Sequence, residues 1–531
     1  MNTSNHFKIW IARHNYFIII LLMFVLFTAM AQFASFAIIQ HHVVSFFGAQ
    51  SEDISLAFQM TYVGILGTLP LQFRFQERFE IRNYLLFALV FGLLLNIGCL
   101  VTKDLIIFTI LRFFVGITTC MVAGCMLITL FSTLPESKKN VVGVGLFFGT
   151  LLSVGIIVGI AAAWFVERMN WNALYYFLIV LQLISILFCF VLFKEKTASR
   201  KIPLYQLDYI GFVFFVSFGF LLAYVFIYGP KYYWFHDSRI RWATVFGFVF
   251  LFLFLKQQFQ LKRPSIDLRV FQHKRFLFGL FLLMVFFGIK DTINLLYGYA
   301  AGILGWSASD IVSLGLFNVI GVVISSILAV KVVLSKKQNL PKLLFIGFGM
   351  LLYYHLWMYW NLTPNLSYAN LIFPIILQGL ASGLLFAPII MLCVSSLPSF
   401  TGMTGVIVCA YCRFVISLNS IAGFYTLQEN YNQEFKIGFI EGLTPFNPRL
   451  TERIQNYKSL LIAKGISVEE ASYIANKLVG KTVGIQSQIL TNRTIFILSV
   501  YLIIATLISL MLFAIFNKYH LKKKISMEHT I

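Results

Sequence analysis

Residues 276–301 read FLFGLFLLMVFFGIKDTINLLYGYAA, and this stretch decides the fold. It is long enough to cross a bilayer, for which about 20 apolar residues suffice. Yet Lys290 and Asp291 stand side by side near its middle. Charge held at membrane depth costs several kcal/mol, so such residues face a protein interior or a water-filled cavity rather than lipid. The stretch is therefore read as one span of a polytopic protein with a polar interior. Adjacent residues of a regular helix point about 100° apart, so Lys290 and Asp291 are expected to find different partners, one of them Arg112 or the cavity. A purely structural ion pair is the competing account.

The rest of the chain supports that frame. Its 531 residues are 59% hydrophobic and 11% charged, with a mean hydropathy of +0.85. Soluble domains carry about 25% charged residues. The net charge is +21, but no basic block resembles a nucleic-acid-binding arm, and nucleic acid is excluded as a partner. The seven cysteines (99, 120, 125, 189, 393, 409, 412) fall in apolar stretches. They lack the context of a metal site or disulfide framework; Cys409 and Cys412 share a helix face but have no His or Cys partners, and no metal or other cofactor is expected. The run Tyr16–Ile39 is longer than a signal-peptide core and is read as a retained first span.

Fourteen spans are predicted, at about residues 16–39, 54–71, 83–101, 105–133, 141–165, 173–193, 210–228, 241–260, 276–301, 309–334, 343–361, 368–394, 403–428 and 494–516. With the N-terminus inside, the inner segments hold 23 Lys and Arg and the short outer loops 5. That asymmetry satisfies the positive-inside rule and places both termini in the cytoplasm. The layout is six, two and six: a bundle over 1–193, two extra spans with their linkers over 194–275, and a second bundle over 276–531. Residues 429–492 form the one large soluble segment, expected outside the membrane. Its latter half reads as helix, with Ser467 and Glu470 as a capping box.

Several motifs carry a family resemblance. Pro264-Ser265-Ile266-Asp267-Leu268-Arg269-Val270-Phe271 followed by Lys274-Arg275-Phe276 precedes the ninth span. Leu207-Asp208-Tyr209-Ile210-Gly211 precedes the seventh, and Trp171–Phe177 opens the sixth. Gln378-Gly379, Gly383 and Pro388 lie in the twelfth span and Arg413 in the thirteenth. In this order they resemble the fourteen-span EmrB/QacA-type drug:proton antiporters of the major facilitator superfamily. The resemblance implies an all-α membrane protein with the major facilitator fold and 14 transmembrane helices. It implies proton-coupled multidrug efflux from a bacterial cytoplasmic (inner) membrane, driven by the proton gradient without a cofactor. It also implies a small amphipathic substrate and, in double-membraned cells, a periplasmic adaptor and an outer-membrane channel as partners beside the lipid bilayer.

Departures from the family pattern are also legible. Arg112 sits in a motif resembling "R-x-x-Q-G" with Val115 in place of the glutamine. The family links this arginine to proton coupling; an anchor hydrogen-bonded to backbone is the alternative. The loop PLQFRFQERFEIR (70–82) keeps Arg74, Arg78 and Arg82, with Glu77 or Glu80 as the acid of a cytoplasmic latch, but has lost its glycines. The fifth span has Val158-Gly159-Ile160-Ala161-Ala162-Ala163 where the family has a proline-containing antiport motif. The first span contains no acid, which leaves Gln32 as its polar candidate.

Asp291 is the one carboxylate placed well inside a span and leads the candidates for proton coupling. Arg112 and His355 are the others, His355 competing with an aromatic-belt role. Lys290, Arg413, Gln32, Asn294 and Tyr297 are the candidates for the substrate cavity. The surplus of cations over Asp291 would favour anionic or neutral amphiphiles. The 58 Phe and 24 Tyr supply apolar, stacking surface. Two other classes compete: a membrane enzyme acting on lipids, and a receptor or scaffold that keeps a transporter fold. Against the enzyme, the chain has no HxxxH box, glycine-rich phosphate loop or Ser-His-Asp set, its Cys409–Cys412 pair has no His or Cys partners for a metal, and its one adjacent histidine pair is His41-His42.

Overall fold

A computed structural model describes residues 7–8, 11, 14–34, 40–135, 139–195, 207–261, 264–335, 339–398, 401–444 and 446–528. The first bundle comprises α1 (Asn15–Ala34), a short outer helix α2 (Gln40–Phe47), α3 (Ser51–Arg78), α4 (Ile81–Val101), α5 (Leu105–Thr133), α6 (Lys139–Arg168) and α7 (Leu174–Leu192). The extra pair is α8 (Tyr209–Tyr228) and α9 (Ser238–Gln260). The second bundle comprises α10 (Lys274–Lys290), α11 (Ile293–Gly302), α12 (Ala308–Ser335), α13 (Leu340–Asn361), α14 (Tyr368–Ser395), α15 (Gly402–Glu441), α16 (Pro448–Ala463) and α17 (Val468–Glu528). Fourteen segments among the described residues are long and apolar enough to cross a membrane, with α10 and α11 together making one of them. The span count agrees with the sequence reading; the predicted end of the first span, residues 35–39, lies outside the described residues.

Two antiparallel helix pairs join the bundles. Along α6 and α12, Val330 abuts Gly145, Ser326 faces Gly149 and Ile156 meets Gly315. At the end where α6 finishes and α12 begins, the Ser309 N–H donates to Glu167 Oε1 at 3.2 Å. The register holds along the whole length of both helices. Along α3 and α15, the Tyr411 hydroxyl donates to the Leu66 carbonyl at 3.2 Å, and the rings of Tyr62 and Phe414 lie 5.9 Å apart.

The extra pair is wedged beside this second contact. Val216 and Phe212 of α8 cover Gly67 of α3, and Val63 of α3 covers Gly219 of α8. Phe215 of α8 stacks on Tyr411 of α15 at 4.3 Å. Helix α8 thus touches both bundles where they meet. Its start is fixed by buried Asp208, which accepts from the Gly211 N–H at 2.8 Å and from Gln258 Nε2 at 2.6 Å.

The segment expected as a soluble outer loop is helical almost throughout. Helix α15 continues to Glu441, and α17 runs from Val468 through the last span without interruption. Ser467 Oγ accepts from the Glu470 N–H at 3.3 Å, the N-terminal half of the capping box. The arms are tied near the membrane by Gln428 Nε2 to Asn492 Oδ1 at 3.3 Å and by Ser487 Oγ to Asn432 Oδ1 at 2.8 Å.

Candidate functional site

The ninth span is broken at the position that carries its charges. Helix α10 stops at Lys290 and α11 begins at Ile293. Across the break the Thr292 N–H donates to the Ile289 carbonyl at 3.2 Å, a tighter turn than an α-helix makes. The Thr292 hydroxyl approaches the same carbonyl at 2.8 Å, the local side-chain-to-backbone bond by which threonine competes with regular helix. Two other helices hold the break. Gln378 Nε2 of α14 donates to the Lys290 carbonyl at 3.3 Å, and Asn318 of α12 hydrogen-bonds the Gln378 amide oxygen. From α13, His355 Nε2 lies 3.0 Å from the Thr292 hydroxyl. His355 Nδ1 lies 2.7 Å from the Leu351 carbonyl, so Nδ1 carries the proton.

Lys290 and Asp291 do pair, with Nζ 3.8 Å from Oδ1, against the expectation that they would diverge. That expectation took only the direction in which each side chain leaves the helix. Asp291 keeps a right-handed helical backbone at the break, and the long Lys290 side chain reaches across to its carboxylate. Their side chains are 25% and 22% exposed, half-buried rather than sealed. Arg413 of α15 acts electrostatically on both. Its guanidinium lies 5.0 Å over the Phe287 ring and 5.9 Å over the Tyr62 ring of α3. Ser420, two turns further along α15, is buried beside Asp291, and its hydroxyl completes no hydrogen bond. The charges therefore sit where α3 of one bundle meets α10 and α15 of the other.

A row of rings crosses the molecule one turn below them. Phe148 of α6 packs on Phe386 of α14 at 4.8 Å, and Phe386 on Phe287 at 5.2 Å. Arg413 then bridges Phe287 to Tyr62, which packs on Phe33 of α1 at 4.3 Å. Both bundles contribute.

The other predicted residues fall elsewhere or play other parts. Arg112 does not meet Asp291. It is fully buried in α5, where Nη1 donates to the Gln32 carbonyl at 2.9 Å and Nη2 to the Phe33 carbonyl at 3.2 Å. Gln32 is buried with its amide group unpartnered. His355 is wholly buried among α13, α17 and the break, not in an aromatic belt. Tyr297 turns its hydroxyl towards Gly315, at the α6–α12 contact, and Asn294 is exposed. Arg82 pairs with Glu195 at 3.0 Å and lies over Phe190 at 5.1 Å, which ties α4 to the end of α7 within one bundle. Arg74 and Arg78 are half-buried on α3, and the side chain of Glu77 lies outside the described residues. Sequence reasoning missed Tyr62, Thr292, Asn318 and Ser420. Gln378 stood in a quoted motif, but nothing in the sequence pointed it at the Lys290 carbonyl.

The sequence profile of the Major Facilitator Superfamily matches residues 20–418. The chain belongs to the Major Facilitator Superfamily. Multidrug export protein EmrB of Escherichia coli (strain K12) is 20% identical over 410 residues, 75% of this chain and 76% of that one. Citrate exporter 1 of Yarrowia lipolytica (strain CLIB 122 / E 150) is 26% identical over 307 residues, 55% of this chain and 44% of that one. The chain spans less than half the length of the first curated relatives it matches, 28% and 44%. The crystal structure of the human organic anion transporter MFSD10 (TETRAN) aligns over 92% of this chain and 99% of that one, with a TM-score of 0.52 at 12% identity. At that identity the likeness is one of fold. Within the superfamily, the match to EmrB agrees with the resemblance carried by the motifs.

Proposed function

We propose that this member of the superfamily is a proton-coupled exporter of amphipathic small molecules in a bacterial inner membrane. It would work by alternating access, the bundles rocking about the α3–α15 and α6–α12 contacts. The observation that carries the reading is the Lys290–Asp291 pair, half-buried at a break in a span and at the junction of the bundles. Protonating Asp291 cancels its charge and releases Lys290, which removes one of the interactions at the break. The break is then free to change shape, and this is how a proton can bias a two-state equilibrium. The ring row offers the apolar body of a substrate a stacking surface shared by both bundles. The outward direction is supported by the two curated relatives, both named for export.

The test is transport in proteoliposomes carrying an imposed pH gradient, with one anionic and one cationic fluorescent dye. At least one dye is expected to move faster when the gradient is present. Asp291→Asn, which keeps the shape and removes the titration, is expected to cut that gradient-dependent rate about tenfold or more, the usual scale for loss of a proton-transfer group. A variant that keeps the wild-type gradient-driven rate would sink the proposal.

A further inference from the structure

The junction holds two cations and one carboxylate, and this imbalance speaks to the cargo. Asp291 is matched with Lys290. Arg413 has no carboxylate within salt-bridge distance among the described residues. Its guanidinium lies 5.0 Å from the centre of the Phe287 ring and 5.9 Å from that of Tyr62, with the Tyr62 hydroxyl beside one of its N–H groups, and its other N–H groups are left for a ligand. Arg112 contrasts with it, since its guanidinium is already bonded to the Gln32 and Phe33 carbonyls. The other donors at the place are the Lys290 ammonium, held by Asp291 only at 3.8 Å, and the Ser420 hydroxyl, which faces Asp291 from a buried residue 6% exposed. A forked guanidinium, an ammonium and a hydroxyl form a donor set for a carboxylate or sulfonate. The neighbouring rings suit an apolar body attached to it.

The same charges fix how proton and cargo influence each other. An anion between Lys290 and Arg413 lies beside Asp291, and the two negative charges repel. A proton on Asp291 removes the repulsion and releases Lys290 to the anion. Each therefore raises the affinity of the site for the other, by the same factor in both directions. A cation would behave oppositely, being repelled by Lys290 and Arg413 and competing with the proton for Asp291. The groups facing Asp291 are Lys290 on its own segment, Arg413 and Ser420 from α15, Tyr62 from α3 and, through Thr292, His355 from α13. The nearby side chains of α12 and α14, Asn318 and Gln378, are uncharged.

We propose that the site takes amphipathic monoanions and that the proton bound at Asp291 moves in the same direction as the anion, not in exchange for it. This rests on the reading of the bundle junction as the transport site. It departs from the exchange of proton for drug that the motif resemblance implies. Anion and proton leaving together make an electroneutral step, whose outward direction is set by the anion's own outward gradient where it exceeds the opposing pH gradient.

Equilibrium binding to the full-length protein in lipid nanodiscs tests this with two probes, naphthalenesulfonate and naphthylmethylammonium. Both keep their charge across the range used. The sulfonate is expected to bind about tenfold or more tighter than the ammonium. Its affinity is expected to rise on acidification from about pH 8 to about pH 6, by at most about tenfold per pH unit, the limit for one linked proton. Asp291→Asn should flatten that profile, and Arg413→Gln should weaken the sulfonate about tenfold or more. If the arginine variant fails to fold, Lys290→Gln serves instead. Tighter binding of the ammonium, or sulfonate binding that is flat or falls with acid in the wild type, overturns the inference. Those results together with dye transport abolished by Asp291→Asn would leave the exporter reading standing. The expected binding pattern without transport of any dye would sink the exporter reading and leave the anion site.

Discussion

Gly379→Leu is expected to prevent the second bundle from assembling. A Cβ at Gly379 would lie 2.2 Å from the Asn318 carbonyl oxygen and about 3 Å from that residue's carbonyl carbon and Cα, all of them backbone. Gly321 of α12 is as close to the Ile376 carbonyl of α14, with 2.5 Å to a Cβ, and Gly383 to the Val322 carbonyl, with 2.6 Å. Helices α12 and α14 therefore touch main chain to main chain, as small residues permit in membranes, where close packing rather than water drives association. No rotamer relieves such a clash, so the helices must separate. Separation breaks the Asn318–Gln378 bond and with it the support of the Lys290 carbonyl. The expected loss is about 3 kcal/mol or more, the upper range for overpacking. Thermal unfolding of detergent-purified protein reads it. Gly349→Leu, on α13 where nothing lies within 4 Å, is the control and should melt like the wild type. A Gly379→Leu protein that also melts like the wild type would show that the helices do not approach as described.

Arg112→Ala is expected to cost about 2–5 kcal/mol, from two buried carbonyls left unsatisfied at about 1–3 kcal/mol each. The guanidinium caps the end of α1. Gln32 and Phe33 lie in the last turn of that helix, whose final carbonyls have no partners within it and carry the negative end of the helix dipole. Alanine leaves both carbonyls buried and unbonded and opens a cavity between α1 and α5. Lysine restores the charge but cannot fork to two carbonyls, so Arg112→Lys should recover only part of the loss. A coupling residue would behave differently, giving a protein of normal melting temperature whose transport no longer follows the pH gradient. That outcome would return Arg112 to the proton pathway and refute the capping role.

The spans were legible because hydrocarbon thickness imposes a length and a composition on each of them, and the Lys and Arg counts set a consistent phase. The break in the ninth span was not. Averaged hydropathy runs straight across Asp291, and the groups that hold the break, His355 and Gln378, come from helices more than 60 residues further along the chain. The pairing of Lys290 with Asp291 was hidden because the 100° rule gives the direction in which each side chain leaves the helix and not the reach of a lysine's flexible stem. Arg112 could be picked out but not assigned. Its partners are backbone carbonyls, which every residue carries and no sequence pattern marks. The outer segment was read as soluble, with helix in its latter half alone, because its composition turns polar at Glu429. Helical geometry does not end where hydropathy does, and α15 and α17 continue on residues that suit an exposed helix.

The unbroken course of α17 has a mechanical consequence. Its 61 residues form a rod of about 90 Å, at about 1.5 Å per residue. Roughly 25 of them precede the last span, an outboard length of about 40 Å with no hinge within it. A tilt of about 10° at the pivot would swing the far tip through about 7 Å, by the lever arm alone. Helix α17 is thus a pointer whose needle stands clear of the spanning part of the bundle, converting small angular changes among packed helices into displacements as wide as a side chain is long.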